Sequence, residues 1–336
     1  MKSFSCSLIY RRANLRTVQT GRKDLTEMKG VILAAGKGSR LYPVTKVIPK
    51  PLLPIANKPT LEYAFDQLKG CGINEVCVVV GENEGVMRDA LGDGSQFGLS
   101  LSYVRQNDPK GLAHAVGFAK EFVGGDDFVL YLGDAIYDQP LAPFVEQFQN
   151  SGAANLNLVK EVEDPRRFGV ANVEDGRIVK LVEKPAEPES NLAMAGMYVF
   201  GPQIWDVLPD LQPSGRGEYE ITDAIQMLVD RGEVVVPGVY EGSWFDTGTL
   251  DSFLATTQFL TGSGQLVDES AEVDAELVGC VVIGPGVRVR AKRIEDSVIL
   301  ADAVVEVDGA ISGSLIAGEV TRSGDLLDVI LHGSME

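Results

Sequence analysis

The chain reads as an α/β protein: a doubly wound, mixed but mostly parallel sheet followed by a short left-handed β-helix. Three observations predict this. Between Met28 and Asp134, short apolar runs closing on glycine or aspartate alternate with stretches of helical periodicity. From Phe168 the pattern changes to paired extended runs around Asp175-Gly176. Beyond Thr261 the sequence repeats itself about every seventeen residues.

The first strand is KGVILAAG, apolar throughout, as a strand covered on both faces must be. PTLEYAFDQLKGCG follows as a helix: Leu61, Ala64, Phe65 and Leu68 share a face, Thr60 is the expected N-cap, and Gly70 and Gly72 stop it. EVCVVVG is the next strand, EGVMRDALGDG a short helix and loop, and LSYVRQ a strand. GLAHAVGFAKEFVG is a helix with Leu112, Ala115, Val116, Ala119 and Phe122 on its core side, and DFVLYLGD is a strand ending in Asp134. FGVANVEDGRIVKLVEKP makes a hairpin and AGMYVFG a further strand. EYEITDAIQMLVDRG is an amphipathic helix, and LDSFLATTQFL is the last one.

In the tail, CVVIGPGVRVRAKRIED, SVILADAVVEVDGAISG and SLIAGEVTRSGDLLDVI align, each opening on a small residue and then aliphatics. Three hexapeptide sides need about eighteen residues per coil, so seventeen fits a β-helix with one tightened corner. Such a prism caps or assembles a larger body, which makes a homo-oligomer the expected state. The expected organisation is an amino-terminal extension over 1–27, an α/β domain over 28–260 and a β-helix-like domain over 261–336. The extension is rich in Arg and Lys, with only Asp24 and Glu27 acidic. It is expected to be a disordered tail, or non-native sequence ahead of a working start at Met28, with an Arg-rich targeting segment the other reading.

Composition narrows the function. With a formal net charge of -18, the chain as a whole repels nucleic acid and anionic membrane, so neither is an expected partner. No apolar run approaches the length of about eighteen residues needed to span a bilayer. Cys6, Cys71, Cys77 and Cys280 are scattered, with no C-x-x-C pair, which suits neither zinc nor a disulfide framework and points to a reducing, cytoplasmic setting.

The chemistry is expected at the carboxyl ends of the parallel strands. The first strand runs into AGKGSR, where Gly36 and Gly38 let a ligand approach the backbone and let amides face phosphates. The pattern lacks the Walker spacing, and Arg40 replaces the third glycine of a dinucleotide fingerprint, which disfavours a dehydrogenase. Arg40 and Lys50 supply the local positive charge that a triphosphate needs. Pro43, Pro49, Pro51 and Pro54 are expected to hold the segment extended over the site. Asp134 closes an apolar strand and Asp246 sits in WFDTGT; together they could share one Mg²⁺, with waters and phosphate oxygens completing it. In LVEKP, Glu183 can accept from sugar hydroxyls and Lys184 can reach a sugar phosphate.

Taken in order, LAAGKGSRLYPVT…PKPLLPIANKP, LGDGSQFGL, RQNDPKGLAHAV, YLGD, RRFGVA, VEKP, GEYEITDAI and WFDTGT resemble the sugar-1-phosphate nucleotidylyltransferases, most nearly the long-form glucose-1-phosphate thymidylyltransferases. The resemblance covers about Met28 to Leu260, and the tail resembles that form's β-helical extension. It implies a fold of the nucleotide-diphospho-sugar transferase type and Mg²⁺-dependent transfer from dTTP to glucose 1-phosphate. It also implies roles. Leu33, Ala34, Ala35, Gly36, Gly38 and Ser39 would line the nucleotide, and Arg40 and Lys50 would grip its triphosphate. Gln106 and Gly111 would read the pyrimidine, and Asp134 and Asp246 would hold Mg²⁺. Gly169, Glu183 and Gly196 would contact the sugar, and Lys184 its phosphate. His114 reads as a helix residue near the site rather than a base. One departure stands out: Pro49-Lys50-Pro51 replaces the Ser-Lys-Gln common in thymidylyltransferases, which keeps UTP open as donor. A regulatory relative that binds sugar nucleotide without turnover is the alternative from another class; retention of Arg40, Lys50, Asp134, Lys184 and Asp246 argues against it.

Overall fold

The apolar strand KGVILA forms the centre of the molecule because it has no polar face to give to water. In the computed structural model, which describes residues 28–333, this strand, β1 (Lys29–Ala34), is buried from Gly30 to Ala34. The expectation for 1–27 lies outside the described residues. Parallel neighbours flank β1 on both sides: β2 (Glu75–Val80) on one and β4 (Phe128–Leu132) on the other, with β3 (Ser100–Arg105) beyond β2. The chain leaves β1 through α1 (Thr60–Gly70) to reach β2, then passes α2 (Glu84–Leu91), β3 and α3 (Leu112–Phe118) before returning to β4. The strand order therefore reverses at β1, and the carboxyl ends of β1 and β4 open a crevice where open α/β sheets bind ligands.

After β4 come β5 (Ala135–Tyr137), α4 (Ala142–Ser151) and β6 (Asn155–Glu161). Then β7 (Gly169–Glu174) and β8 (Arg177–Glu183) form the antiparallel hairpin read from the sequence, with Asp175 and Gly176 both at positive φ as its two-residue turn requires. β9 (Leu192–Phe200) lies antiparallel to β4, which makes the sheet mixed, and β6 pairs with both β9 and β10 (Val235–Val239). α5 (Ile221–Asp230) buries Ile221, Ala224, Ile225 and Leu228 along its apolar face, while Val229 is half-buried. β11 (Trp244–Asp246) pairs with β5, and α6 (Leu250–Thr261) starts on a capping box between Thr249 and Ser252.

Past α6, every strand pairing among the described residues is parallel, as in the stacked coils of a β-helix. The spacing is less even than the sequence repeat: Val281 lies opposite Ser297, 16 residues on, Val298 opposite Leu315, 17 on, and Val305 opposite Val320, 15 on. Corner lengths vary, and the parallel ladder absorbs the difference. Alternation decides what each residue faces. Val281 and Ile283 point into the stack's own core. Val282, Val298, Leu300 and Leu315 instead pack outward against Leu41, Val44, Leu53, Ile55 and Phe253. The stack thus braces the back of the segment that follows the glycine loop.

Three local expectations are corrected. Thr60 is the first residue of α1 rather than its cap, because its hydroxyl donates to the Leu53 carbonyl at 2.7 Å. The proline segment is extended only at its end, where Pro54–Ile55 forms a short strand; before that it coils through three 3₁₀ turns, Ser39–Leu41, Val44–Lys46 and Lys50–Leu52, the last with Pro51 in its first positions, where proline's fixed φ fits. Leu112 is 36% exposed at the mouth of a cavity, whereas Ala113 takes the core position.

Candidate active site

The end of β1 and the end of β4 meet one another. Leu33, Ala34, Ala35 and Gly36 form one wall of a cavity of about 320 Å³, and Gly133 and Asp134 form the adjoining wall. Gln106 and Gly111 close it from the loop between β3 and α3, and Lys50 reaches in from the basic segment. A Cβ on Gly36 would meet nothing within 4 Å, so the backbone there lies open to a ligand. Gly38 has a different reason to be glycine: its φ is 62°, and a Cβ would come within 3.0 Å of the Lys50 stem. The Thr45 hydroxyl ties the loop down by donating to the Gly38 carbonyl at 2.7 Å. Ser39 is exposed at the start of its turn.

Three charges converge where Lys50 and Asp134, on the wall of this cavity, meet Asp246. Lys50 Nζ is ion-paired with Asp134 Oδ2 and lies 4.0 Å from Asp246 Oδ1, with the lysine side chain only 10% exposed. Arg40 lies beside the same group: a Cβ on Gly248 would come within 2.6 Å of Arg40 Nη2 and 2.9 Å of Asp246 Oδ1. Burial and the charge of Asp134 push the Asp246 carboxyl above its ordinary range, against the pull of Lys50 and Arg40. Asp134 and Asp246 both lie against the Lys50 ammonium, so two carboxylates share one positive charge. An all-oxygen pair fits Mg²⁺, which takes one or two carboxylates and completes its shell with water and phosphate oxygens. Of the other basic residues, Lys37 pairs with Glu82 at 3.6 Å on the surface and Lys46 lies over the Tyr42 ring.

Gln106 and Gly111 are firmly placed. The Gln106 backbone continues the β2 edge by donating to Val80 O, and its side chain bonds His114 on α3. Gly111 has φ 111° and presses on Tyr219, where a Cβ would lie 2.5 Å from the carbonyl oxygen. Only glycine fits.

The residues expected at the sugar gather around the β7–β8 hairpin. Glu183 accepts from Thr222 Oγ1 at 2.6 Å and from Arg216 Nη2 at 3.3 Å, and pairs with Lys184 at 3.1 Å. Lys184 holds φ 44°, an uncommon conformation for a residue with a side chain, and its amide donates to Phe168 O. Gly169 is enclosed by Met194, Thr222 and Glu183. Gly196 has φ 82° at an irregularity of β9, against Leu132. A second cavity, of about 340 Å³, is lined by Asp246 of the charged cluster together with Arg167, Phe168 and Trp244.

Sequence reading missed several of these side chains. Arg216 bridges Glu183 and Glu220, and lies 3.5 Å from Glu218, which lines the first cavity. Its place between glycines in SGRGEYE gave no sign of a partner 33 residues away. Trp244 carries a buried Nε1 with no hydrogen-bond partner and stands at 5.0 Å from the Phe168 ring. In WFDTGT the aspartate signals chemistry, whereas nothing local sets Trp244 apart from a core residue.

The chain is similar to several known proteins. The family described as nucleotidyl transferase matches residues 29–263. The low-salt glycan biosynthesis nucleotidyltransferase Agl11 of Haloferax volcanii is 39% identical, over 91% of this chain and 96% of that protein. A glucose-1-phosphate thymidylyltransferase of Streptomyces griseus is 37% identical, over 88% of this chain and 89% of that one. Among solved structures, a UDP-glucose pyrophosphorylase complexed with UDP-glucose superimposes with a TM-score of 0.64 at 28% identity, covering 70% of this chain and 99% of that one. The family match spans the sheet, the first cavity and the cluster of Lys50, Asp134 and Asp246, and on it the chain belongs to the nucleotidyl transferase family.

Proposed function

We propose that the protein transfers a thymidylyl group from dTTP to glucose 1-phosphate, releasing pyrophosphate and forming dTDP-glucose. The observation that carries this is Lys50, held between Asp134 and Asp246 on the wall of a cavity lined by open backbone. The open loop from Leu33 to Ser39 admits the nucleotide, and Gln106 and Gly111 face its base. Lys50 and Arg40 offset the negative charge of the triphosphate and of the departing pyrophosphate. Lys184 holds the sugar phosphate, and Glu183, with Gly169 and Gly196, positions the sugar. A phosphate oxygen of glucose 1-phosphate forms a bond to the α-phosphorus, and the bond from that phosphorus to the bridging oxygen of pyrophosphate breaks. The sugar phosphate is largely ionised at neutral pH, its second pKa being about 6, so no general base is required. Catalysis then consists of positioning and charge neutralisation. Mg²⁺ held by Asp134 and Asp246 would add positive charge beside the phosphates.

The runner-up is the same transfer with UTP. It is favoured by Pro49-Lys50-Pro51 and by the similarity to a UDP-glucose pyrophosphorylase. The test is pyrophosphate release from glucose 1-phosphate with dTTP, UTP, ATP, CTP and GTP side by side. Preference for dTTP supports the first reading and preference for UTP the second. No release with any of them, or with other sugar phosphates, leaves the non-turnover relative.

A further inference from the structure

Gln106 is 5% exposed and lines the cavity, and its side-chain Nε2 lies 2.9 Å from His114 Nδ1. An amide nitrogen only donates. With the amide nitrogen toward the ring, Nδ1 accepts, which pairs this amide orientation with the tautomer protonated on Nε2; the Nδ1–H tautomer would pair with the turned amide. The bond uses one amide hydrogen and fixes which end of the carboxamide faces α3. The ring itself is held: Phe118 meets it edge-on at 5.0 Å, and the Tyr219 ring stacks at 6.2 Å. Tyr219 is in turn locked to the base-side loop, donating to Lys110 O at 2.7 Å and accepting from Ala113 N at 3.0 Å.

A carboxamide presents a donor on one side and an acceptor on the other. Thymine and uracil offer an acceptor (O4) beside a donor (N3–H); cytosine offers the reverse, an amino donor (N4) beside an acceptor (N3). The two kinds of pyrimidine therefore need opposite orientations of the same amide. We infer that His114 is a positioning residue that fixes the orientation of the Gln106 amide and so selects thymine or uracil nucleotides over cytosine nucleotides. This rests on the reading of Gln106 as a base contact.

The inference also implies a pH dependence. Protonated His114 has no acceptor at Nδ1; it would repel the amide nitrogen and favour the turned amide, whose oxygen accepts from the ring. The charged groups around the ring are Lys110 and Asp108, themselves paired at 2.9 Å, with Glu218 on the cavity wall and the Tyr219 phenol on the loop before α5. Burial and the Lys110 charge hold the ring below its ordinary pKa, with Asp108 opposing them. His114 is thus neutral at physiological pH, and discrimination weakens only on acidification.

The test measures kcat/KM for dTTP against dCTP, and for UTP against CTP, at about pH 8 and at the lowest pH at which each protein stays folded, since the ring sits below its ordinary range. The proteins are the wild type, His114→Leu, His114→Asn and Gln106→Ala. In the wild type the preference falls about tenfold on acidification, through KM, as loss of one oriented base contact implies. His114→Leu has the lowered preference at both pH values. His114→Asn does not titrate and offers either a donor or an acceptor, so its preference, whatever its size, is the same at both pH values. A wild-type preference that does not change with pH, together with an unchanged preference in His114→Leu, overturns the inference while Gln106→Ala still loses it. If Gln106→Ala keeps the preference, the base-contact reading fails and the inference falls with it. Should His114→Leu not fold, the wild-type pH dependence and its absence in His114→Asn decide.

Discussion

Lys50 and Asp134, 84 residues apart in sequence, form an ion pair on the wall of the cavity, with Asp246 4.0 Å from the same ammonium. The pair explains why an acidic chain carries a basic segment just after a glycine loop. The lysine neutralises carboxylates that the fold brings together, and it stands where phosphate charge would arrive. Replacing Lys50 with Met should lower the rate of pyrophosphate release by about 10²–10³, the scale for losing one electrostatic contact to a transition state. Steady-state kinetics beside a circular-dichroism melt separates this from unfolding.

Asp246 gives a pH prediction. Burial and Asp134 raise its carboxyl above the unfolded value. Between those two values the folded state holds the extra proton, so metal-free stability falls as pH rises through that window. Urea melts in a chelator at stepped pH should show this fall, and Asp246→Asn should remove that component. A wild type whose dependence matches that of the Asn variant would contradict the burial argument.

Lys184, the residue proposed to hold the sugar phosphate, carries backbone strain at φ 44°. Lys184→Ala and Lys184→Gly should both lose sugar-phosphate binding. The Gly variant should be the more stable by about 1 kcal/mol, because glycine adopts positive φ without the Cβ penalty. Equal melts would mean that the turn is unstrained.

Gly111→Ala should disrupt the loop that carries Gln106 and Gly111 into the cavity, since its Cβ would strike the Tyr219 backbone. The expected readout is a raised KM for the nucleotide together with a lowered melting temperature. An unchanged KM would show that the loop shifts without consequence.

Leu315 is fully buried between the stacked strands and the segment containing Leu41, Val44 and Leu53. Leu315→Ala should destabilise by about 2–5 kcal/mol, the usual range for a core leucine cut to alanine. It should also raise the KM for nucleotide, because the back of the Lys50 segment loses its brace. A loss of stability with kinetics unchanged would make the stack a separate support.

What was legible in the sequence follows from how local each signal is. β1, β4 and the hairpin at Asp175-Gly176 show in short patterns, because strand burial and turn chemistry are set within a few residues. Asp134 and Asp246 could each be picked out at the end of an apolar run, and they do meet. The coiled path of the proline segment was hidden, because a proline that ends an α-helix also suits a 3₁₀ turn. Arg216 beside Glu183, and His114 beside Gln106, depend on which loops and helix ends the sheet brings together. The outward face of the stacked strands was hidden for the same reason: Val282 and Val298 look like any other strand valines until their partner surface is known.

The most direct measurement is Mg²⁺-dependent pyrophosphate release from dTTP and glucose 1-phosphate by the wild type and by Asp134→Asn, each confirmed folded. If the cluster of Lys50, Asp134 and Asp246 carries nucleotidyl transfer, the wild type releases pyrophosphate and forms dTDP-glucose, and the variant loses at least about a hundredfold in rate. A folded variant that releases pyrophosphate at the wild-type rate would contradict it.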